Sequence, residues 1–383
     1  MILFLLSFLF IYGSGHLYLL VKIKSACAPG RRTTWLLVLW SLLMVTAPIL
    51  VHRLEHSGLE EPARLTALAG YIWMGWLFYY ILLGLLFDVL SLLSRLAAKL
   101  FGFRNILRSS SRRIFLGTII LAAALVGYGF FEAQTIRLTK VVLPTDKLPQ
   151  GITRLRVVQI SDLHLGLLVG RDRLRTVAET IRQATPDIVV ATGDLVDGQG
   201  DNLMALARQL REIPAAYGKF AILGNHELYA GTSHSQAFLQ QAGFEVLRNE
   251  TRSVAGQLVI AGMDDRRRGT WPIEGSDKEA QLLQGLGAKQ SFILLLKHRP
   301  QIDPASLGHF DLQLSGHVHG GQLFPFGLLV GRFYPVPVGV LHPLAQGYIY
   351  VSRGAGTWGP PIRVLAPPEV TIIDLVPTTR TDR

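Results

Sequence analysis

The sequence predicts an α/β domain that follows an N-terminal bundle of about four transmembrane helices. The first 133 residues contain four apolar segments of near-spanning length. From residue 136 onward, short apolar runs alternate with stretches of helical periodicity. In this second part, five groups of Asp, Asn and His each follow an apolar run of the kind that forms a strand. With 383 residues, the chain is long enough for one large domain and a membrane region.

The apolar segments approach the roughly 20 residues that a helix needs to cross a bilayer. They lie near residues 2–21, 34–51, 68–93 and 114–131. The first is interrupted at residues 13–16 and lacks the basic start of a signal peptide, so we interpret it as an uncleaved span. We therefore predict a transmembrane region over 1–133 and a second domain over 134–383. Asp88 is the clearest acidic residue within a span, but anchoring is the preferred role of this region.

Loop charges predict the orientation of these spans. Four Lys and Arg residues follow the first segment and six follow the third, whereas the second loop mixes two Arg with three Glu. Because loops rich in Lys and Arg stay in the cytoplasm, the domain after the last span is expected outside it. Residues 111–116, Ser-Arg-Arg-Ile-Phe-Leu, also match the twin-arginine export pattern. Alternatively, Arg112 and Arg113 only anchor the span, which predicts the same orientation.

The composition argues against a nucleic-acid-binding protein and against a disulfide-stabilised one. The formal net charge is +11, but much of the excess lies in the loops between apolar segments, so nucleic acid is not an expected partner. The single cysteine, Cys27, excludes an internal disulfide.

The second part predicts helices and strands in alternation. Helices are expected over 171–184, 201–212 and 233–242. Strands are expected over 136–142, 155–160, 187–191, 220–223, 243–247, 258–262, 292–296, 311–314, 348–351 and 370–375. Strand ends in layered α/β domains converge on one edge of a sheet, so residues just past them can meet in one site.

The polar groups after these strands offer His, carboxylate and amide ligands without thiolate. They comprise Asp162 and His164, Asp194, Asn225 and His226, His298, and His317 with His319. This mixture suits divalent metals such as Mn, Fe, Zn or Co.

The motifs D-x-H, G-D, G-N-H-E, a lone His and G-H-x-H, in this order, resemble the calcineurin-like metallophosphoesterase superfamily. The resemblance covers roughly residues 155–375 and implies a four-layer α/β/β/α sandwich of two mixed sheets. It also implies two divalent metal ions (Mn, Fe, Zn or similar). The implied ligands of the first are Asp162, His164, Asp194 and His319. The implied ligands of the second are Asp194, Asn225, His298 and His317. His226 is implied as general acid or as a partner of a phosphate oxygen.

Such a pair of metals suits displacement at phosphorus. Two cations about 3.5–4 Å apart stabilise both the attacking and the leaving oxygen, and water between them loses its proton easily. We expect Asp197 to orient a ligand. Glu227 is as compatible with a surface or capping contact as with the site. His234, His309 and His342 are interpreted as ordinary polar residues.

Residues 351–361 resemble the membrane-anchored bacterial branch of the superfamily, which implies a protein of the bacterial inner (cell) membrane. Arg353 in this stretch is a candidate for a phosphate contact, with a structural Gly-rich turn as the alternative. Arg266, Arg267 and Arg268 are candidates for binding a phosphate or an anionic lipid surface, with a solvated loop as the alternative. The apolar stretch 323–344 suits acyl chains or a bilayer surface, or forms a packed cap.

The leading hypothesis is a membrane-anchored phosphoesterase that hydrolyses a phosphate ester or pyrophosphate of an amphiphilic or lipid-linked substrate. One alternative is a UDP-2,3-diacylglucosamine pyrophosphatase of lipid A biosynthesis, which would need a cytoplasmic substrate. A nuclease and a non-catalytic membrane-linked binding module are the others. Phosphoproteins are not expected, because protein phosphatases of this superfamily carry Arg where this chain has Gly198 and Glu227.

Overall fold

The computed structural model describes residues 2–102, 111–197, 203–265, 276–286 and 290–378. The chain divides into two compact units. The first comprises Met1–Phe131 and Gly359–Ile362, and the second comprises Glu132–Trp358 and Arg363–Arg383.

Four long helices make up most of the first unit. They are α1 (Ile2–Cys27), α2 (Arg31–His56), α3 (Glu60–Phe101) and α4 (Ser111–Gln134). All four are long and apolar enough to cross a membrane. They extend beyond the predicted spans, so Lys22 and Lys24, expected in a loop, lie in the last two turns of α1.

Close backbone approach and an ionic contact both connect these helices. A Cβ at Gly70 of α3 would lie 2.8 Å from the Cβ of Ala47 on α2, so the two backbones approach closely. The carboxylate of Asp88 on α3 accepts hydrogen bonds from Lys22 Nζ at 2.5 Å and Tyr18 Oη at 2.9 Å, both on α1. Asp88 therefore joins two helices, a structural role consistent with anchoring.

Two six-stranded sheets form the centre of the second unit. The first has the order β1-β12-β2-β3-β4-β5, from β1 (Arg137–Thr145), β12 (Glu369–Pro377), β2 (Leu155–Ile160), β3 (Ile188–Thr192), β4 (Lys219–Ile222) and β5 (Glu245–Val246). The second has the order β10-β11-β9-β8-β7-β6, from β10 (Leu341–Pro343), β11 (Tyr348–Val351), β9 (Leu312–Ser315), β8 (Phe292–Leu296), β7 (Leu258–Gly262) and β6 (Glu250–Val254). Both sheets are mixed, since β12 pairs antiparallel to β2 and β6 antiparallel to β7.

Helices cover the outer faces of both sheets. The helices of the second unit are α5 (Arg171–Gln183), α6 (Leu203–Arg211), α7 (Asn225–Ala230), α8 (Thr232–Gln241), α9 (Ser276–Gln284) and α10 (Phe326–Phe333). One apolar core joins α5, α6 and α8 to the first sheet, a second lies between the sheets, and a third joins α9 to the second sheet. Successive residues of β8 point to opposite faces of the sheet, so Leu294 packs in the core between the sheets and Ile293 packs in the core on the outer face. The predicted four-layer α/β/β/α sandwich is confirmed.

Most elements predicted from apolar runs are present to within a few residues, whereas β6, α9 and α10 were not predicted. β6 is largely polar and lies at a sheet edge. α10 spans only eight residues within a Pro- and Gly-rich stretch, so its sequence offers little helical periodicity to recognise.

Candidate metal centre

The predicted metal-binding residues lie just beyond the carboxyl ends of strands from both sheets. β2 and β3 precede Asp162, His164 and Asp194, while β8 precedes His298 and β9 the two histidines of G-H-x-H. Five of these residues adopt the left-handed backbone, with φ between 51° and 74°: Asp162, His164, Asp194, His317 and His319. This conformation is unfavourable for residues with a Cβ and is concentrated at functional sites, where the surrounding structure enforces it. The fold therefore holds these side chains in a preset arrangement.

A first group that could hold a metal ion consists of Asp162, His164 and His319. The Nε2 atoms of the two histidines lie 3.0 Å apart, and His319 Nε2 lies 3.6 Å from Asp162 Oδ1. The orientation of the Asp162 carboxylate is also fixed by a hydrogen bond that it accepts from the backbone N–H of His317 at 2.9 Å. All three side chains are almost fully buried.

A second group consists of Asp194, His298 and His317. His298 Nε2 lies 3.0 Å from Asp194 Oδ2 and 3.2 Å from His317 Nδ1. The other ring nitrogen of His298, Nδ1, faces the carbonyl of Thr192 at 2.7 Å. A backbone carbonyl there selects the tautomer with its proton on Nδ1, which leaves Nε2 free to bind a cation.

Asp194 links the two groups. It also belongs to a third possible metal-binding group, with His164 and His226. Beside it, the buried Oδ1 of Asn225 has no hydrogen-bond partner within the part of the chain that the structure describes. A buried acceptor without a donor is costly, whereas a cation at this position would satisfy it. The residues present therefore fit two divalent cations that share Asp194.

The charges of His164 and His317 agree with cation binding by neutral imidazoles, whereas His298 is held protonated by Asp194. Burial lowers the pKa of His164 to about 4 and is also the main cause that lowers the pKa of His317 to about 2. Burial raises the pKa of Asp162 to about 6. For His298, burial acts to lower the pKa, but the carboxylate of Asp194 outweighs it and raises the pKa to about 10. The negative charge of Asp194 attracts the protonated ring of His298 directly. A cation bound by both residues would replace that contact.

Glu227 is the residue whose role the sequence left open, and the structure buries it completely. Its Oε2 accepts the backbone N–H groups of Asp194 at 2.9 Å and Gly224 at 2.8 Å. Its Oε1 accepts those of Leu195 at 2.6 Å and Val196 at 3.0 Å. The Glu227 carboxylate thus joins the turn after β3 to the turn after β4, and so fixes the backbone that carries Asp194.

His226 lies at the edge of the centre with its ring 4.6 Å from that of His164. Its Nδ1 is hydrogen-bonded to Asp197, the residue expected to orient a ligand. Burial acts to lower the pKa of His226, but the hydrogen bond to Asp197 and the nearby carboxylates raise it above its ordinary value. The rings of Tyr229 and Trp358 flank it at 5.7 and 5.8 Å. A protonated imidazole is therefore favoured beside the two groups of ligands.

The structure describes one of the four predicted substrate-binding arginines, Arg353. The Arg353 guanidinium pairs with Glu369 and donates to Thr139 at 3.1 Å, so the structure does not place it with the metal-binding groups. Arg266, Arg267 and Arg268 fall outside the described residues.

The sequence offered no signal for Arg363, which is fully buried. Its guanidinium donates to the carbonyls of Gly356 at 2.8 Å and Ala366 at 2.9 Å, and lies 3.2 Å from His319 Nδ1. It therefore positions the backbone and ring of His319.

A Cβ at Gly224 is expected to disturb the centre directly. It would lie 2.2 Å from Asp194 Oδ1 and 2.7 Å from the Asp194 backbone nitrogen. Gly224→Ala should therefore displace Asp194 and weaken Mn²⁺ affinity by about 10–100-fold, the range found for changes that misorient metal ligands. Calorimetric titration of the purified chain measures this. Gly170→Ala is the control, since a Cβ there meets nothing within 4 Å, and equal affinities in the two variants would contradict the prediction.

Several known proteins are similar to this chain. Residues 155–321 match the profile of the family described as calcineurin-like phosphoesterase. An uncharacterized metallophosphoesterase of Aquifex aeolicus (strain VF5) is 41% identical over 258 residues, which are 67% of this chain and 98% of that relative. The uncharacterized metallophosphoesterase YkuE of Bacillus subtilis (strain 168) is 33% identical over 71% of this chain and 100% of its own length. A transmembrane protein with metallophosphoesterase domain from Danio rerio is 32% identical over 78% of this chain and 71% of its own length.

Proposed function

Because the chain belongs to the calcineurin-like phosphoesterase family and is a metal-dependent phosphoester hydrolase, we propose that it cleaves a phosphate ester or pyrophosphate of an amphiphilic, lipid-linked substrate. The observation that carries the catalytic part is the chain of three His and Asp groups, linked through His164 and Asp194, beside the unsatisfied Oδ1 of Asn225. The four candidate membrane helices support the amphiphilic substrate, because they hold the chain at a bilayer.

In this proposal, seven side chains hold two divalent cations. Asp162, His164, Asp194 and His319 hold the first. Asp194, Asn225, His298 and His317 hold the second. When bound, the cations supply charge that stabilises the phosphoryl group and lower the pKa of the attacking water. The buried carboxylates and imidazoles exclude bulk water from these positions and keep their donor atoms directed at the cations.

His226 is proposed as the general acid. Its Nδ1 is held by Asp197, so Nε2 is the nitrogen available to protonate the leaving oxygen. The carboxylate also raises the pKa of the ring, which keeps the proton in place near neutral pH. Asp197 is in this way a positioning residue.

His226→Asn is expected to lower kcat by about 10²–10⁴-fold for esters of poorly acidic alcohols, the usual contribution of a general acid. Esters of acidic phenols should lose far less, because their leaving oxygen needs no proton. Turnover of an alkyl and a nitrophenyl phosphodiester by the Mn²⁺-loaded chain measures the difference. His309→Asn serves as the control, since His309 belongs to none of the three possible metal-binding groups among the described residues. Equal losses on both esters would contradict the acid role.

We propose further that residues 1–133 anchor residues 134–383 at the outer face of the inner membrane, from the loop charges and the twin-arginine pattern. A single cysteine tests this orientation: Glu179→Cys, exposed on α5, in a Cys27→Ser background. A membrane-impermeant maleimide applied outside the inner membrane should label it in unlysed cells. Labelling only after lysis would contradict the orientation and favour the UDP-2,3-diacylglucosamine pyrophosphatase alternative.

A further inference from the structure

The helix α10 presents apolar side chains to the outside of the second unit. Leu328 is 73% exposed, Phe333 72% and Leu329 54%, and Phe326 on the same helix is 40% exposed. No residue of this helix, which the structure describes throughout, is buried. A helix on a protein surface ordinarily turns polar residues outward, whereas α10 turns mainly apolar residues outward. An exposed apolar patch of this kind marks a surface that binds something.

One side of α10 rests on the metal centre. Gly321, in the turn that carries His319, has φ of 83°, and a Cβ there would lie 2.2 Å from the backbone nitrogen of Gly327. Val330 and Tyr334 pack on the neighbouring apolar cluster, and the ring of Tyr334 lies 5.8 Å from that of His317. The outward face therefore begins within a few residues of two predicted metal ligands.

The charge of the segment around α10 indicates which kind of partner suits the exposed apolar face of this helix. Between residues 321 and 344, Arg332 is the only Lys, Arg, Asp or Glu, and it is exposed. An apolar helix with a basic residue and no acidic one is suited to the boundary of a bilayer, where a guanidinium reaches anionic headgroups while Leu and Phe enter the acyl region. The same chain contains four helices able to span a membrane, so the protein is expected to be located at a bilayer.

We propose that α10 is an interfacial helix whose Phe326, Leu328, Leu329 and Phe333 enter the surface of the lipid bilayer beside the metal centre. The catalytic groups would then receive a phosphate located at headgroup depth. This consequence rests on the proposed function and names its substrate class as a phosphoester whose alcohol part is embedded in the bilayer by acyl or polyprenyl chains.

Depth-dependent quenching tests the helix itself and requires no activity. The full-length chain in a Cys27→Ser background carries an environment-sensitive fluorophore at Leu328→Cys or Phe333→Cys, and at Glu179→Cys as the matched exposed control. The proteins are reconstituted in phosphatidylethanolamine and phosphatidylglycerol vesicles with spin-labelled acyl chains. We expect several-fold stronger quenching at positions 328 and 333 than at 179. Equal quenching would overturn the proposal. Fluorescence that depends on protein concentration but not on the spin label would overturn it in favour of a second copy of the chain.

A second experiment separates this inference from the proposed function. The double variant Leu328→Ser/Phe333→Ser should raise KM for a vesicle-embedded long-chain phosphoester by roughly tenfold, while turnover of a water-soluble nitrophenyl phosphodiester is unchanged. Tyr217→Ser is the control, as an exposed ring elsewhere in the second unit. Unchanged KM despite strong quenching would overturn the substrate class. Absence of turnover on every substrate by the unmodified chain would contradict the proposed function, and the quenching result would still decide the role of α10.

Discussion

Asp194→Ala is expected to lower metal-dependent phosphoester turnover by roughly 10³-fold or more. Asp194 belongs both to the group with His298 and His317 and to a group with His164 and His226, so its loss removes a donor that both proposed cation positions share. Divalent cations contribute several kcal/mol of transition-state stabilisation, and each ~1.4 kcal/mol corresponds to a factor of 10 in rate. Removing the shared ligand should therefore nearly abolish catalysis.

The measurement is turnover of a generic aryl phosphodiester and monoester with Mn²⁺, together with the metal content of the purified protein. Asp172→Ala is the matched control, because the Asp172 side chain is 89% exposed on α5 and forms a surface pair with Arg175. Turnover retained in Asp194→Ala, with metal content unchanged, would remove the basis for a shared ligand and would favour the binding-module alternative.

The residues predicted to bind metal could be identified from the sequence because each closely follows a buried strand. The runs before Asp162, Asp194 and His298 are apolar throughout or nearly so, as expected for strands covered on both faces. Once those strands lie in adjacent layers, their carboxyl ends determine where the next residues meet. Apolar runs of the same kind also predicted the strands of the first sheet and the strands β7, β8 and β9.

The residues that support the site could not be predicted in this way. Arg363 lies in a Pro-rich stretch without periodicity, and its role depends on carbonyls brought together by three separate turns. Tyr229 and Trp358, which flank His226, are 129 positions apart in the chain. Arg353 illustrates the converse, because a basic residue in a Gly-rich turn suggests a phosphate contact until Glu369 is seen to pair with it. Such contacts depend on tertiary packing and leave no local pattern.

Glu227→Gln is expected to have the largest effect on stability among substitutions that preserve shape. Each carboxylate oxygen of Glu227 accepts two backbone N–H groups, from Asp194 and Gly224 on one side and from Leu195 and Val196 on the other. An amide keeps one oxygen but turns its NH₂ toward the other two donors. A buried donor left without an acceptor costs about 1–3 kcal/mol, so the free energy of unfolding should fall by several kcal/mol. That is a large fraction of the 5–15 kcal/mol typical of a folded protein.

The same change should also weaken the metal centre, because three of the four donors, the N–H groups of Asp194, Leu195 and Val196, belong to the turn that carries Asp194. Where the variant remains folded, Mn²⁺ affinity is expected to fall by about 10–100-fold, as for other losses of support behind a ligand. Chemical denaturation gives the change in stability and calorimetric titration gives the change in affinity. Glu179→Gln, exposed on α5, should alter neither. A loss of stability without a loss of affinity would show that Glu227 supports the fold alone, since a carboxylate that fixes Asp194 must act on both.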